Sequence, residues 1–280
     1  MTPRDLWLLE MLHEHRVLTS HHITALWHTA HRVTNRRLRQ LHQLHVLDSF
    51  RPLTPRGSAP EHYTLGRRGA ALLAARWATD VKHLSWRPDS TARTAFSPTL
   101  EHDLATTTLL TSLAATHHHD PHRQLTLWLS ARSAARLWGD HARPDAYAHW
   151  QHDTTVLPFF LEHDTGSETL RRVEAKLAGY AALPTTTPVL IHTPSPAREA
   201  HLHQRLAPTA RHENLPVATA HHPHAWLPLN PPSRDRLTLD QLAHHWPHLT
   251  PALTPEQAEH LPAEGRPQWR PVPPLPLTVR

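Results

Sequence analysis

Asp145, Glu162 and Lys176 are the residues whose types and spacing best suit chemistry: Glu162 follows Asp145 by seventeen positions and precedes Lys176 by fourteen. Two carboxylates and an ammonium are the groups a metal-dependent phosphodiesterase needs. The carboxylates hold a divalent cation, which acidifies a bound water and clamps the phosphate. The lysine is the unusual member. The chain has 29 Lys and Arg together, and only Lys82 and Lys176 are lysines. A compact ammonium fits beside a water or a scissile phosphate where a planar guanidinium often does not. The plainer alternatives are concrete. Asp145 would end a turn after Pro144, Glu162 and Asp164 would cap the next helix against its dipole, and Lys176 would sit at the rim of an apolar face.

These residues need a scaffold, and the chain is long enough for roughly two domains. Hydrophobic residues make up 39%, and turns must lean on 28 prolines because there are only 7 glycines. The absence of cysteine excludes disulfides, thiolate zinc sites and a cysteine nucleophile. No apolar run approaches the ~18 residues of a membrane span, and the first fifteen residues lack a signal-peptide core. A soluble, cytoplasmic protein is the expectation. Charge is uneven: residues 1–99 carry 14 Lys and Arg against 7 Asp and Glu, and residues 100–280 carry 15 against 17. A basic first part on a near-neutral remainder suggests a polyanion partner. Histidine reaches 30, in pairs and one triplet, but no HExxH is present. Doublets at that frequency follow from composition, so a histidine metal site is not expected.

Thr2, Pro3 and Asp5 start a helix as N-cap, first position and first-turn acid. Leu6, Leu9 and Leu12 give it an apolar face. Val17-Leu18 reads as extended, and Thr19-Ser20 caps a second helix with Ile23, Leu26 and Trp27. A third helix, about Val33 to His45, turns Leu38, Leu41 and Leu44 inward. Arg32, Asn35, Arg36 and Arg39 fall largely on the other side, with Arg37 nearby. A strand over Val46–Phe50, a loop containing Arg56, a returning strand at His62–Leu65 and a helix from Gly66 to Trp77 follow. LHQLHVLDSFRP and EHYTLGRRGAALL resemble a winged helix-turn-helix: a recognition helix, a basic wing tip, then a Tyr-x-Leu strand entering a helix. This domain is placed at 1–80, followed by a linker at 81–96.

The second domain, 97–228, begins with a helix carrying Leu100, Leu104, Leu110 and Leu113. Strands are read at Gln124–Leu129, Pro144–Trp150, Val156–Glu162, Pro188–His192 and Leu215–Thr219. ARSAARLWGDHAR is read as a polar excursion. Helices are expected at about 168–182, capped by Ser167 or Thr165, and from Ser195-Pro196 through Leu206. Residues 229–280 read as a Pro-rich tail, partly disordered, with short helical stretches near 238–245 and 255–260. The fold class is therefore α/β (α+β).

The order α, β, β, β, α, β, with Pro144-Asp145 opening the second strand and Glu162 closing the third, resembles the restriction-endonuclease-like PD-(D/E)xK superfamily. That resemblance implies Asp145 and Glu162 as Mg²⁺ ligands and Asp145, Glu162 and Lys176 as the catalytic set. The sequence departs from the pattern at Asp164, where a lysine is expected; Lys176 on the following helix would supply the ammonium. Glu101 would be a further acidic contributor. Taken together, an N-terminal winged helix, then LEHDLATTTLL, RPDAY and PFFLEHDTGSETLRRVEAKLAGYAAL resemble the bacterial replication-relaxation family of plasmids and integrative elements over about residues 3–230. The most specific part is FFLExDxGxExLxxxxxKLxxY, from Phe159 to Tyr180.

The resemblance implies a role in replication or relaxation of plasmid DNA. Two functions compete. One is a metal-dependent nicking protein bound to double-stranded DNA, with Asn35 and either Arg36 or Arg39 at base edges and Arg32, Arg37 and Arg56 on phosphates. The other is a non-catalytic transcription regulator or replication accessory factor, whose nuclease-like domain is a platform for a homodimer or another partner. Asp164 favours the second and Lys176 the first. A tyrosine-nucleophile mechanism has the least support: of Tyr63, Tyr147 and Tyr180, none sits in a histidine cluster.

Overall fold

The computed structural model describes residues 1–54, 57–222, 224–253 and 257. The described residues divide into two compact units, one over 1–111 and the other over 112–253. The fold is a mixed α/β one, with helices and short strands first and a larger mixed sheet after. Among the described residues no helix is long and apolar enough to cross a membrane.

In the first unit, α1 (Pro3–His15) opens with a reciprocal cap between Thr2 and Asp5. A short strand β1 (Leu18–Thr19) leads into α2 (Ser20–Trp27), whose cap is Thr19. α3 (His31–Gln43) buries Thr34, Leu38 and Leu41. Leu44, expected inward, is 49% exposed because the helix has ended one residue earlier. β2 (Leu47–Phe50) and β3 (His62–Leu65) pair antiparallel, and β3 also pairs with β1, giving the order β1-β3-β2. α4 (Arg67–Arg76) lies so close to this sheet that a Cβ on Gly69 would stand 2.2 Å from the Val46 carbonyl oxygen. Leu8, Leu9, Leu12, Ile23, Leu38, Leu41 and Leu73 form the core.

The stretch read as a linker is not featureless. A 3₁₀ turn covers Val81–Leu84, and α5 covers Ser90–Ala95. Trp86 donates to the Leu65 carbonyl at 2.8 Å, and Thr91 pairs with Thr64 at 2.7 Å, so the segment is tied to β3. Such tertiary contacts leave no periodic pattern in a short polar sequence. α6 (Leu100–Ala115) then crosses the division between the units.

The second unit is built on a six-stranded sheet in sequential order: β4 (Arg123–Ser130), β5 (Ala146–His152), β6 (Thr155–His163), β7 (Val189–His192), β8 (Val217–His222) and β9 (Ala225–Asn230). β4, β5 and β6 are antiparallel neighbours; β6, β7 and β8 run parallel; β9 returns antiparallel. The parallel steps are made by α8 (Leu170–Ala181) and α9 (Pro196–His212), as parallel pairing requires. α8 is capped by Thr169, not by Ser167 or Thr165.

Three elements differ from expectation. The excursion after β4 contains a helix, α7 (Ala131–Trp138), which Ser130 caps and which buries Ala134 and Trp138. Its two arginines masked the apolar stripe. β5 extends through His152, two residues beyond its expected end at Trp150. β9 lies partly in the stretch read as tail. Pro228 argues against a central strand, but β9 is at the sheet edge, where proline is tolerated. α10 (Leu239–His245) also falls in that stretch, and its Asp240 accepts from Trp150 at 2.6 Å and from Arg123 at 2.7 Å. The expected helix at 255–260 and the remainder of the tail lie outside the described residues, apart from Gln257.

Candidate functional site

Alternate residues of a strand share a face, so Phe160 and Glu162 point to the same side of β6. Phe160 packs on that side against Tyr180 of α8 and Trp138 of α7, at ring-centre distances of 5.1 and 5.0 Å. The aromatic wall seals the sheet face one step before Glu162, which is itself only 6% exposed. Lys176 and Tyr180 are one turn apart on α8 and so project from one stripe of it. Lys176 Nζ donates to Glu162 Oε2 at 3.0 Å, and the Tyr180 hydroxyl donates to Oε1 of the same carboxylate. The i, i+4 spacing thus gives one carboxylate two donors.

Asp145 comes from the neighbouring chain segment. Its N–H donates to the Leu161 carbonyl at 3.0 Å, and its Oδ2 accepts from the His163 N–H at 2.7 Å. It therefore brackets Glu162 along the strand. Burial raises the Glu162 carboxyl to about 7, and the negative charge of Asp145 adds to the rise; Lys176 and Tyr180 oppose it. Burial works against the Lys176 charge, but Glu162 and Glu168 outweigh it and hold the ammonium above its ordinary value. Burial pushes the Tyr180 hydroxyl well up, keeping it a donor. At neutral pH the site is a carboxyl near its titration point, beside a fixed positive charge.

The cluster extends beyond these residues. Glu168 Oε2 lies 3.0 Å from Lys176 Nζ, so the ammonium bridges two carboxylates. Asp164 pairs with Arg198 at 2.6 Å, and Arg198 also donates to the Glu168 carbonyl at 2.6 Å. Sequence reasoning missed Tyr180, Glu168 and Arg198 as members. A signal existed for two of them. Glu162, Asp164, Gly166, Glu168, Lys176 and Tyr180 are the polar and glycine positions of the motif from Phe159 to Tyr180, and all take part in one network. Glu101, the further acidic contributor expected, is exposed on α6 in the first unit.

Asp145 and Glu162 are the hard oxygen donors that Mg²⁺ takes, commonly as one or two carboxylates with waters and substrate phosphates completing the shell. The residues present fit that minimal set. Among the described residues no group of three or more His, Asp or Glu is arranged to hold a metal ion.

In the first unit, Arg32, Arg36 and Arg39 are exposed on α3. Arg37 is not disposed like them. Its Nε and Nη2 reach the two oxygens of Asp5 at 3.0 and 2.5 Å, and Asp5 is 1% exposed. The expected phosphate ligand thus staples α3 to α1. Asn35 is half-buried, its Nδ2 is 3.2 Å from His31 Nδ1, and its Oδ1 is shielded from solvent. A base-edge contact would require that side chain to turn. A cleft of about 500 Å³ lies between α3 and the hairpin, lined among others by Arg39, Arg51, His42 and Tyr63. Arg56 lies outside the described residues.

No match was found among curated proteins or among solved structures. A family model described as Replication-relaxation matches residues 9–189, which takes in α3, β4–β6 and all of α8. With more than half of its length matched, the chain belongs to the replication-relaxation family.

Proposed function

We propose that this protein binds double-stranded DNA of a plasmid or integrative element and nicks it in a metal-dependent step serving replication or relaxation. The observation that carries the reading is the meeting of the buried Glu162 carboxyl with the Lys176 ammonium at 3.0 Å, with Asp145 bracketing Glu162 along the strand. α1–α4 with the β2–β3 hairpin are read as a winged helix. Arg32, Arg36 and Arg39 of α3 then face the duplex, and phosphate contacts supply most of the affinity. The second unit is read as a PD-(D/E)xK-like nuclease core.

In this reading Asp145 and Glu162 hold Mg²⁺, which supplies a more acidic bound water and neutralises phosphate charge. Glu162 must release its proton before it can serve as a ligand, so metal and proton compete for it. Tyr180 holds one Glu162 oxygen in place. Lys176 stands ready to meet negative charge on the scissile phosphate. The ammonium reaches the site from α8, so Asp164 need not be a lysine.

A second reading has an observation of its own. Both oxygens of Glu162 already accept hydrogen bonds, and one oxygen of Asp145 is held by the His163 N–H. A site closed in this way would suit a non-catalytic replication accessory factor or regulator. Supercoiled plasmid separates the two. Incubated with wild-type protein and Mg²⁺ or Mn²⁺, it should become open-circular, and chelator or Asp145→Asn should stop the conversion. A mobility shift with topology unchanged under every metal would support the accessory role.

A further inference from the structure

The turn between β6 and α8 is held from outside the matched segment. Asp164 Oδ1 accepts from the Gly166 N–H at 2.9 Å, and Gly166 adopts φ +86°, so the chain reverses tightly there. Arg198, in the first turn of α9, then grips the result at two places. Its Nε donates to Asp164 Oδ2 at 2.6 Å, and its Nη2 donates to Asp164 Oδ1 at 3.3 Å and to the Glu168 carbonyl at 2.6 Å. The Asp164 side chain is 5% exposed and the Arg198 side chain 18%. A planar fork that meets a carboxylate and a backbone carbonyl together sets geometry in a way a point charge does not.

Glu168 is the residue so fixed, and its carboxylate lies 3.0 Å from the Lys176 ammonium. Lys176 is 40% exposed at its side chain, and a flexible four-carbon stem leaves such an ammonium many alternatives in water. Glu162 holds it from the buried side and Glu168 from the outer side. We propose that Arg198 is a positioning residue of this site: by clamping Asp164 and the Glu168 carbonyl, it fixes Glu168 and so keeps the Lys176 ammonium against Glu162. Asp164, which stands where the PD-(D/E)xK pattern has its lysine, serves as the anchor for this clamp. The consequence for nicking rests on the reading of Asp145, Glu162 and Lys176 as the reacting set; the placement of Lys176 does not.

Lys176 and Lys82 are the only lysines, which allows a direct test. Full-length protein is treated briefly with N-hydroxysuccinimidyl acetate, and acetylation at Lys176 is measured relative to Lys82 by peptide mass spectrometry. Arg198→Met and Asp164→Asn should each raise the Lys176 to Lys82 ratio by about threefold, as loss of one partly exposed ion-pair arrangement allows. Arg198→Lys, which keeps charge without the fork, should give an intermediate ratio. Arg205→Ala is the control: it removes a pair with Glu174 from the same helix and should leave the ratio unchanged. An unchanged ratio in Arg198→Met, or an equal rise in Arg205→Ala, would overturn the proposal. Nicking by the same variants is read in parallel. A wild-type protein that never nicks defeats the catalytic reading alone, because the labelling still decides what Arg198 does.

Discussion

α3 and the β6–α8 cluster use charge in opposite ways. On α3, Arg32, Arg36 and Arg39 stand in water, and only Arg37 is drawn inward, onto Asp5. At β6 and α8, with Arg198 reaching in from α9, Glu162, Lys176, Glu168, Asp164 and Arg198 pair with one another. Exposed like charges raise the local potential for a polyanion and contribute little to the fold. Buried, mutually paired charges shift protonation and are where a reactive group is prepared. One chain thus holds an exposed basic helix face and an enclosed cluster of paired charges, the division of labour that the proposed function assigns to DNA binding and to phosphate chemistry.

The comparison can be broken most severely at Lys176. Lys176→Met should slow metal-dependent nicking by about 100-fold, the scale for removing a charge-stabilising donor from an active site. DNA affinity in gel shifts should stay unchanged, because α3 is intact. Loss of both together would mean that the two regions do not divide the work as described.

Acid should weaken the protein next. Burial lowers His22, His149 and His192 to about 4 from 6.5. Between those values the unfolded chain binds more protons than the folded one, so stability falls as pH drops from about 6.5 to about 4. Each histidine contributes on the order of 2 kcal/mol to that fall. Glu162 works the other way. Its folded value of about 7 exceeds its ordinary 4.5, so its contribution is greatest at low pH and declines as pH rises between them. Three groups outweigh one, and urea midpoints should decrease from pH 6.5 to pH 4. His149→Asn should flatten the slope, and an unchanged slope would show that His149 is not held neutral by burial.

Within α3 itself the contrast is sharper. Arg37→Ala should cost about 1–3 kcal/mol of stability, because it strands the buried Asp5 carboxylate. Arg36→Ala should leave stability nearly unchanged and reduce the salt dependence of DNA binding by about one unit of slope. Equal effects from the two variants would erase the distinction between staple and surface. The smallest effect is expected at Arg76, whose pair with Glu10 is half in water. Arg76→Ala should cost about 0.5 kcal/mol in a denaturant titration.

The order of elements in the first unit was legible because each carries a local signature: Thr2 and Thr19 as caps, Leu38 and Leu41 at helical spacing, and a loop between two short apolar strands. α7 and β9 were hidden because their warrants are tertiary. α7 rests on Trp138 packing against Phe160 and Tyr147, and β9 on an edge position that tolerates Pro228. At the candidate site, residue types and spacing singled out Asp145, Glu162 and Lys176. Tyr180 was visible only as a motif position, although its i, i+4 relation to Lys176 pointed to the same carboxylate. Arg198 gave no signal, since one arginine among so many is undistinguished until α9 is folded against the turn. The pairing of Arg37 with Asp5 was hidden for the converse reason. An arginine on a basic helix looks like its neighbours until Asp5 is placed beneath it.

The most direct measurement compares wild-type protein and Glu162→Gln on one supercoiled plasmid with Mg²⁺, reading mobility shift and topology from the same samples. The account predicts that both proteins shift the plasmid equally, that wild type converts it to open-circular DNA, and that Glu162→Gln leaves it supercoiled. Conversion by Glu162→Gln at the wild-type rate would contradict the account, as would plasmid left supercoiled by both.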